Sequence, residues 1–207
     1  MTIYGLKSGF QDLLRPAATG LARIGVTANQ VTLTAVIVSI AIGILVTFNA
    51  NDHRYFAVLP VWFLVRMALN AIDGMLAREF GQESRLGAYL NEISDVISDA
   101  ALYLPFAFVA PFTAIWIGAI IFLSTLSELA GVLGQTIGAS RRYDGPMGKS
   151  DRALVFGALG LAVGLASPLP QWAVWIMPAI AALLCLTIVN RIRSGLREQS
   201  RPPHSNP

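Results

Sequence analysis

The 207-residue sequence has one cysteine, two histidines and few charges, Lys, Arg, Asp and Glu together making up 13% of it. Cys185 has no second cysteine to pair with, which excludes an intrachain disulfide and a cysteine-based metal centre. In the middle of an apolar run it behaves as a small hydrophobe. His53 sits in a loop and His204 in the polar tail RPPHSNP, and neither is assigned a role. A short leading h-region is also missing, since about thirty mostly amphipathic residues precede the first apolar run, so no cleavable signal peptide is expected. What is abundant is apolar surface. The chain is 55% hydrophobic with a mean hydropathy of +0.60, too apolar for a soluble domain of this length, and a polytopic membrane protein follows.

Crossing ~30 Å of hydrocarbon takes about 20 helical residues. Six apolar runs approach or exceed that length, at 31–48, 55–77, 86–109, 112–138, 153–168 and 172–190. The fifth is short, and Gly157, Gly160 and Gly164 predict a helix packed closely against its neighbours. Ahead of the first run, Leu6, Phe10, Leu13 and Leu14 fall near one helical face with Lys7, Gln11 and Arg15 around the rest, the pattern of a helix lying on the membrane surface. The predicted fold is therefore an all-α membrane protein, six transmembrane helices preceded by an amphipathic surface helix. It forms one domain over 1–200, with a disordered tail at 201–207.

Positive charge near span ends sets orientation. Thirteen of the fifteen Lys and Arg lie before the first run, between the second and third, between the fourth and fifth, or after the sixth; Arg54 alone lies on the other side and Arg66 falls within the second run. Both termini are expected to be cytoplasmic, in the inner membrane if the chain is bacterial. The basic residues follow topology, and nothing points to nucleic acid.

The stretch NAIDGMLAREFGQESRLGAYLNEISD, residues 70–95, interrupts this pattern with charge. On a helix Asn70, Asp73 and Ala77 share one face, and Asn91, Asp95 and Asp99 line up one turn apart on the next. A short connection makes the two helices antiparallel, letting the polar stripes face each other on the cytoplasmic side. A carboxylate at the bilayer centre costs about 2.5–3.5 kcal/mol on insertion scales, so Asp73, Asp95 and Asp99 require cations or water. A hard divalent ion such as Mg²⁺ suits oxygen ligands and is commonly completed by substrate phosphate. Arg66, Arg78 or Arg85 would serve instead without any metal. Gly74, Ala77 and Gly87 either leave room for a ligand or allow plain helix packing.

These residues resemble the signature of the CDP-alcohol phosphatidyltransferase family, D-x2-D-G-x2-A-R-x8-G-x3-D-x3-D. Asp73, Gly74, Ala77, Arg78, Gly87 and Asp95 match it with every interval preserved, and the family's first and third aspartates are replaced by Asn70 and Asn91. The likeness extends over essentially the whole chain. TANQVT resembles a weakened form of the family's Pro-Asn-x-x-Thr stretch, keeping Asn29 and Thr32, and GKSDR resembles a Gly-Lys stretch that supplies Lys149.

The resemblance implies transfer of a substituted phosphoryl group from a CDP-linked lipid, usually CDP-diacylglycerol, to an alcohol acceptor, with release of CMP, in phospholipid biosynthesis. It implies Mg²⁺ or Mn²⁺ as cofactor, with Asp73, Asn70, Asn91 and Asp95 at the metal positions. Asp95 is implied as the catalytic base, and Gly74, Ala77, Arg78, Gly87 and Lys149 as substrate-binding residues. The two asparagines supply oxygen but no charge, so the site brings two or three negative charges where the family brings about four. Family members often dimerise, making a second copy a candidate partner alongside the bilayer. Glu128 and Gln135 are candidates for the acceptor pocket, or Glu128 for a pair with Arg66. Arg141 and Arg142 are candidates for a phosphate contact, or simply for the positive-inside pattern. Two alternative functions stand beside the enzyme: a catalytically impaired relative that binds CDP-lipid or nucleotide, and a transporter using the buried carboxylates.

Overall fold

Helix caps and connections in this chain are set by short polar residues at the ends of apolar runs. The computed structural model describes residues 3–166 and 168–199, with the side chains of 3–8 and 199 left out of the description. The expected tail at 201–207, and Leu6 and Lys7 of the expected surface face, lie outside it. Helix α1 runs Ile3–Arg23, α2 Ala28–Phe48, α3 Val58–Glu79, α4 Arg85–Tyr103, α5 Ala114–Thr136, α6 Lys149–Ala166 and α7 Ile176–Gln199. Short 3-10 turns at His53–Ala57, Leu104–Phe108 and Gln171–Trp175 extend α3, α4 and α7. The six expected runs correspond to α2 through α7. The third is divided where α4 gives way to the 3-10 turn with Pro105 near its start, and the sixth continues past residue 190 to Gln199.

Thr27 caps α2 through a reciprocal capping box with Gln30, and the Gln82 side chain accepts a further hydrogen bond from the Ala28 amide at 2.7 Å. Ser84 caps α4 by accepting from the Gly87 amide at 2.9 Å. Between α3 and α4 the chain turns in five residues, with Gly81 in the left-handed region at φ +67°. Both caps sit beside this connection, so the start of α2 and the α3–α4 turn are fastened to one another.

The predicted antiparallel pairing of α3 and α4 takes a different form from direct helix-on-helix packing. Helix α2 packs closely on both, and α3 and α4 meet mainly through long polar side chains. Gly43 permits this: a β-carbon there would lie 2.3 Å from the Ala101 carbonyl oxygen, so only glycine lets α4 approach α2 so closely. The glycines of α6 also act as their spacing predicts, with Gly160 and Gly164 against Phe56, Ala57 and Leu59.

The larger core is aromatic and lies toward the start of α3 and the end of α4. Tyr103 stacks on Phe156 at 3.8 Å between ring centroids, and Phe106 meets Phe56 and Phe156 edge-on at 5.3 Å. A smaller cluster joins α1 to the far end of α3, where Ala18 is fully buried against Val31, Ile72, Met75 and Leu76. Leu14, Leu21 and Ala22 turn to this cluster while Leu13 is 75% exposed, so part of α1's apolar face is taken up by the protein itself. Arg15 of α1 pairs with Glu79 at the end of α3.

The chain is a membrane protein. Among the described residues four segments are long and apolar enough to cross a bilayer, Ala28–Phe48, His53–Glu79, Ala114–Thr136 and Gln171–Glu198. Helices α4 and α6 are 19 and 18 residues long but carry Glu92, Asp95 and Asp99, and Lys149, Asp151 and Arg152. Their charge separates them from the four apolar segments, and most of that charge belongs to the site described next.

Candidate active site

The α-helical repeat stacks Asn70 and Asp73 on one turn of α3, and Asn91, Asp95 and Asp99 on successive turns of α4. Asp73 is buried and accepts a hydrogen bond from the Thr32 hydroxyl at 2.7 Å, which binds α2 to α3. Arg66, two turns before Asp73, is buried and spans two turns of α4. It donates to Asp99 Oδ1 at 2.6 Å and to Asp95 at 3.2 Å through Oδ1 and 3.1 Å through the carbonyl. Asn70 Nδ2 reaches the same Asp95 oxygen at 3.4 Å, and Lys149 at the start of α6 pairs with the other. Asp95 thus gathers α3, α4 and α6 on one carboxylate.

The charges continue without a break into α5 and α7. Arg152, 1% exposed, donates to Asp99 Oδ2 at 2.9 and 3.2 Å and to Glu128 Oε1 at 2.9 Å. Glu128 also pairs with Arg191 at 3.4 Å and Arg141 at 3.5 Å, and Arg141 closes the chain on Glu92, back on α4 one turn before Asp95. Arg191 further donates to the Ser127 carbonyl. Removing one partner from a buried pair strands its charge, which costs about 3–5 kcal/mol, so the connections are mutually dependent. Outside the helices, partial burial raises the Asp144 pKa but the hydrogen-bonded Arg142 guanidinium more than offsets this, holding the carboxyl below its usual range.

Several expected residues converge here and others do not. Asn70, Asp95 and Lys149 meet directly, with Asp73 one turn from Asn70. Arg78 folds back over Gly74, where a β-carbon would lie 3.0 Å from its guanidinium. Gly87 faces Asn29, whose Oδ1 would be 2.8 Å from an added β-carbon, so the TANQVT stretch reaches the motif through both Asn29 and Thr32. Ala77 packs on the α1 cluster. The Asn91 amide makes a long 3.5 Å contact with Glu92. Gln135 is exposed on the surface of α5, and Arg142 turns to Asp144 and Glu198.

Glu128 pairs with Arg152, Arg191 and Arg141 and not with Arg66, which serves Asp95 and Asp99 instead. Sequence reasoning missed Arg152, Arg191 and Glu92 as members of the site. Arg152 and Arg191 were accounted for by topology alone. The available signal was the spacing of Lys149 and Arg152, which places both on one face of α6.

The CDP-alcohol phosphatidyltransferase profile matches residues 25–187, which contain the whole constellation except Arg191. The chain belongs to the CDP-alcohol phosphatidyltransferase family. It is 49% identical over 199 residues to the inner membrane protein YnbA of Escherichia coli (strain K12), covering 95% of this chain and 97% of that one. It is 37% identical over 97 residues to the phosphatidylinositol phosphate synthase of Mycobacterium marinum (strain ATCC BAA-535 / M), covering 47% of this chain and 40% of that protein. Two crystal structures of Mycobacterium tuberculosis phosphatidylinositol phosphate synthase share the fold at 22% identity. The form with manganese and citrate has a TM-score of 0.72 and covers 92% of this chain and 93% of that one; the form with CDP-DAG bound has 0.71, with 93% and 96%.

As a CDP-alcohol phosphatidyltransferase the chain is an enzyme of phospholipid synthesis, and the family uses divalent metals such as Mg²⁺ or Mn²⁺. The donor set offers two carboxylates, Asp73 and Asp95, and two amides, Asn70 and Asn91. That is hard oxygen chemistry suited to one such ion with substrate phosphate completing the shell. Among the described residues no group of three or more His, Cys, Asp or Glu side chains is arranged to hold a metal, and two of the four motif positions are neutral amides. Arg66 and Lys149 supply positive charge at Asp95 from the protein itself.

Proposed function

We propose that the chain is an integral membrane phosphatidyltransferase that moves the phosphatidyl group of a CDP-linked lipid, such as CDP-diacylglycerol, onto the hydroxyl of an alcohol and releases CMP. The reading extends to six crossings, α2 to α7, with both termini cytoplasmic and α1 on the membrane surface. Charged side chains of α4 and α6 then face the bundle interior, where partners satisfy them.

The observation that carries the reading is the meeting of Asp95 with Asn70 and Lys149 beside Asp73. In the proposed reaction the acceptor oxygen attacks the phosphorus that bears the diacylglycerol. A new O–P bond forms, the anhydride O–P bond to CMP breaks, and CMP leaves with the electron pair. Asp95 takes the hydroxyl proton, a role suited to a desolvated carboxylate within reach of the acceptor. Lys149, on Asp95 and 30% exposed, is in place to exchange that carboxylate for donor phosphate, freeing Asp95 as a base when the donor arrives. Arg78 adds a bidentate contact to the diphosphate, and the missing side chain of Gly74 leaves room for its guanidinium to lie over the helix. Asp73 with Asn70 and Asn91 would hold a divalent ion, which when bound would supply neutralising charge at the diphosphate.

Purified protein in detergent, given CDP-diacylglycerol, Mg²⁺ or Mn²⁺ and a panel of alcohols, is expected to release CMP with one acceptor class. Tight binding of CDP-diacylglycerol with no CMP from any alcohol would return the chain to the impaired relative that its two asparagines suggest.

A further inference from the structure

We infer that the acceptor alcohol of this enzyme carries no phosphate: it is an uncharged or zwitterionic hydroxyl compound rather than a phosphomonoester. The inference rests on the phosphatidyl-transfer reading and narrows it. Every cation of the α4–α7 network is already matched by a carboxylate. Arg66 serves Asp95 and Asp99, Lys149 serves Asp95, Arg152 serves Asp99 and Glu128, Arg191 serves Glu128, and Arg141 serves Glu92 and Glu128. With Asp73, five cations face five carboxylates. Arg78, a divalent ion and Lys149 once it leaves Asp95 serve the donor's diphosphate, and among the described residues no cation of this network is left over for a second phosphate.

The approach to Asp95 is where the acceptor must sit. Its rim consists of Arg141, Glu92 and Lys149, 20%, 27% and 30% exposed, while Arg152, Arg191 and Glu128 behind it are nearly closed to solvent. A phosphomonoester carries between one and two negative charges at neutral pH. To bind it, Arg141 must be drawn off Glu92 and Glu128, leaving partly buried carboxylates facing a second anion. A phosphate asks for an open guanidinium fork, and the Arg141 fork is already spent on Glu92 and Glu128, whereas a hydroxyl asks for a single donor or acceptor and leaves those pairs in place.

The test is CMP release by the full-length protein with CDP-diacylglycerol and Mg²⁺, using polyols and amino alcohols in matched pairs with their phosphomonoesters, such as glycerol with glycerol 3-phosphate. The parent alcohols are expected to exceed their phosphates in kcat/KM by at least about 100-fold, the scale of one uncompensated carboxylate. Glu92→Gln, at the exposed rim, releases Arg141 and is expected to narrow that preference by about tenfold, mainly through a lower KM for the phosphate. Release with phosphomonoesters in preference to their alcohols overturns the inference and leaves phosphatidyl transfer standing. An unchanged preference in Glu92→Gln overturns the ion-pair origin of the selectivity. No release with either class, from protein that binds CDP-diacylglycerol, overturns the inference together with the reading beneath it.

Discussion

Replacing Arg66 by Met tests whether the buried ion pairs hold the site helices together. Arg66 is 4% exposed and ties α3 to two turns of α4 through Asp95 and Asp99, and α3 and α4 have little other direct contact. Methionine fills much of the volume but strands charge on α4. Losing one partner of a buried pair costs about 3–5 kcal/mol. Each carboxylate here keeps a second cation, Lys149 for Asp95 and Arg152 for Asp99, so the lower end applies. About 3 kcal/mol in a chain of this length corresponds to a thermal midpoint lower by roughly 6–12 °C. Circular dichroism of the purified protein in detergent measures it. Arg54→Met is the control, since among the described residues Arg54 pairs only with neighbouring Asp52, and it is 87% exposed; its midpoint should not move. If Arg66→Met melts with the wild type, the ion pairs are not what positions α4.

Two further results follow from the geometry. The double variant Asn70→Asp with Asn91→Asp is expected to lower the Mg²⁺ or Mn²⁺ concentration giving half-maximal CMP release about tenfold, because it adds charged oxygens without moving the helices; no change would point to a different set of ligands. Gly43→Val is expected to reduce folded yield and lower the thermal midpoint by several degrees, since its β-carbon meets the Ala101 carbonyl, whereas Gly118→Ala on the open face of α5 should leave both unchanged. Equal yields for the two would show that α2 and α4 tolerate a wider separation.

Much of the fold could be read because its dominant signal, long apolar runs, is local. The positions of α2, α3, α5 and α7 follow directly from hydropathy, and the α3–α4 site from the fixed spacing between Asp73 and Asp95. The partners of those carboxylates were not legible. Arg66, Arg152 and Arg191 come from separate helices, and a buried arginine looks in sequence like any other charge near a span end until the packing brings a carboxylate to it. Arg152 is the clearest case, one helical turn from Lys149 and yet read in sequence only as part of the positive-inside pattern. Hydropathy also failed to explain why α2 separates α3 from α4. That depends on Gly43 meeting Ala101, a contact between two small residues that no periodicity marks.

Asp95→Asn tests most directly whether Asp95 takes the acceptor's proton, because the amide keeps the shape and cannot act as the base. Donor binding and CMP release should be measured on the same preparation. The variant is expected to bind CDP-diacylglycerol within a few-fold of the wild type and to release CMP at least about 100-fold more slowly, the lower range of general-base contributions. Release at the wild-type rate would contradict the assignment and move the base elsewhere in the site.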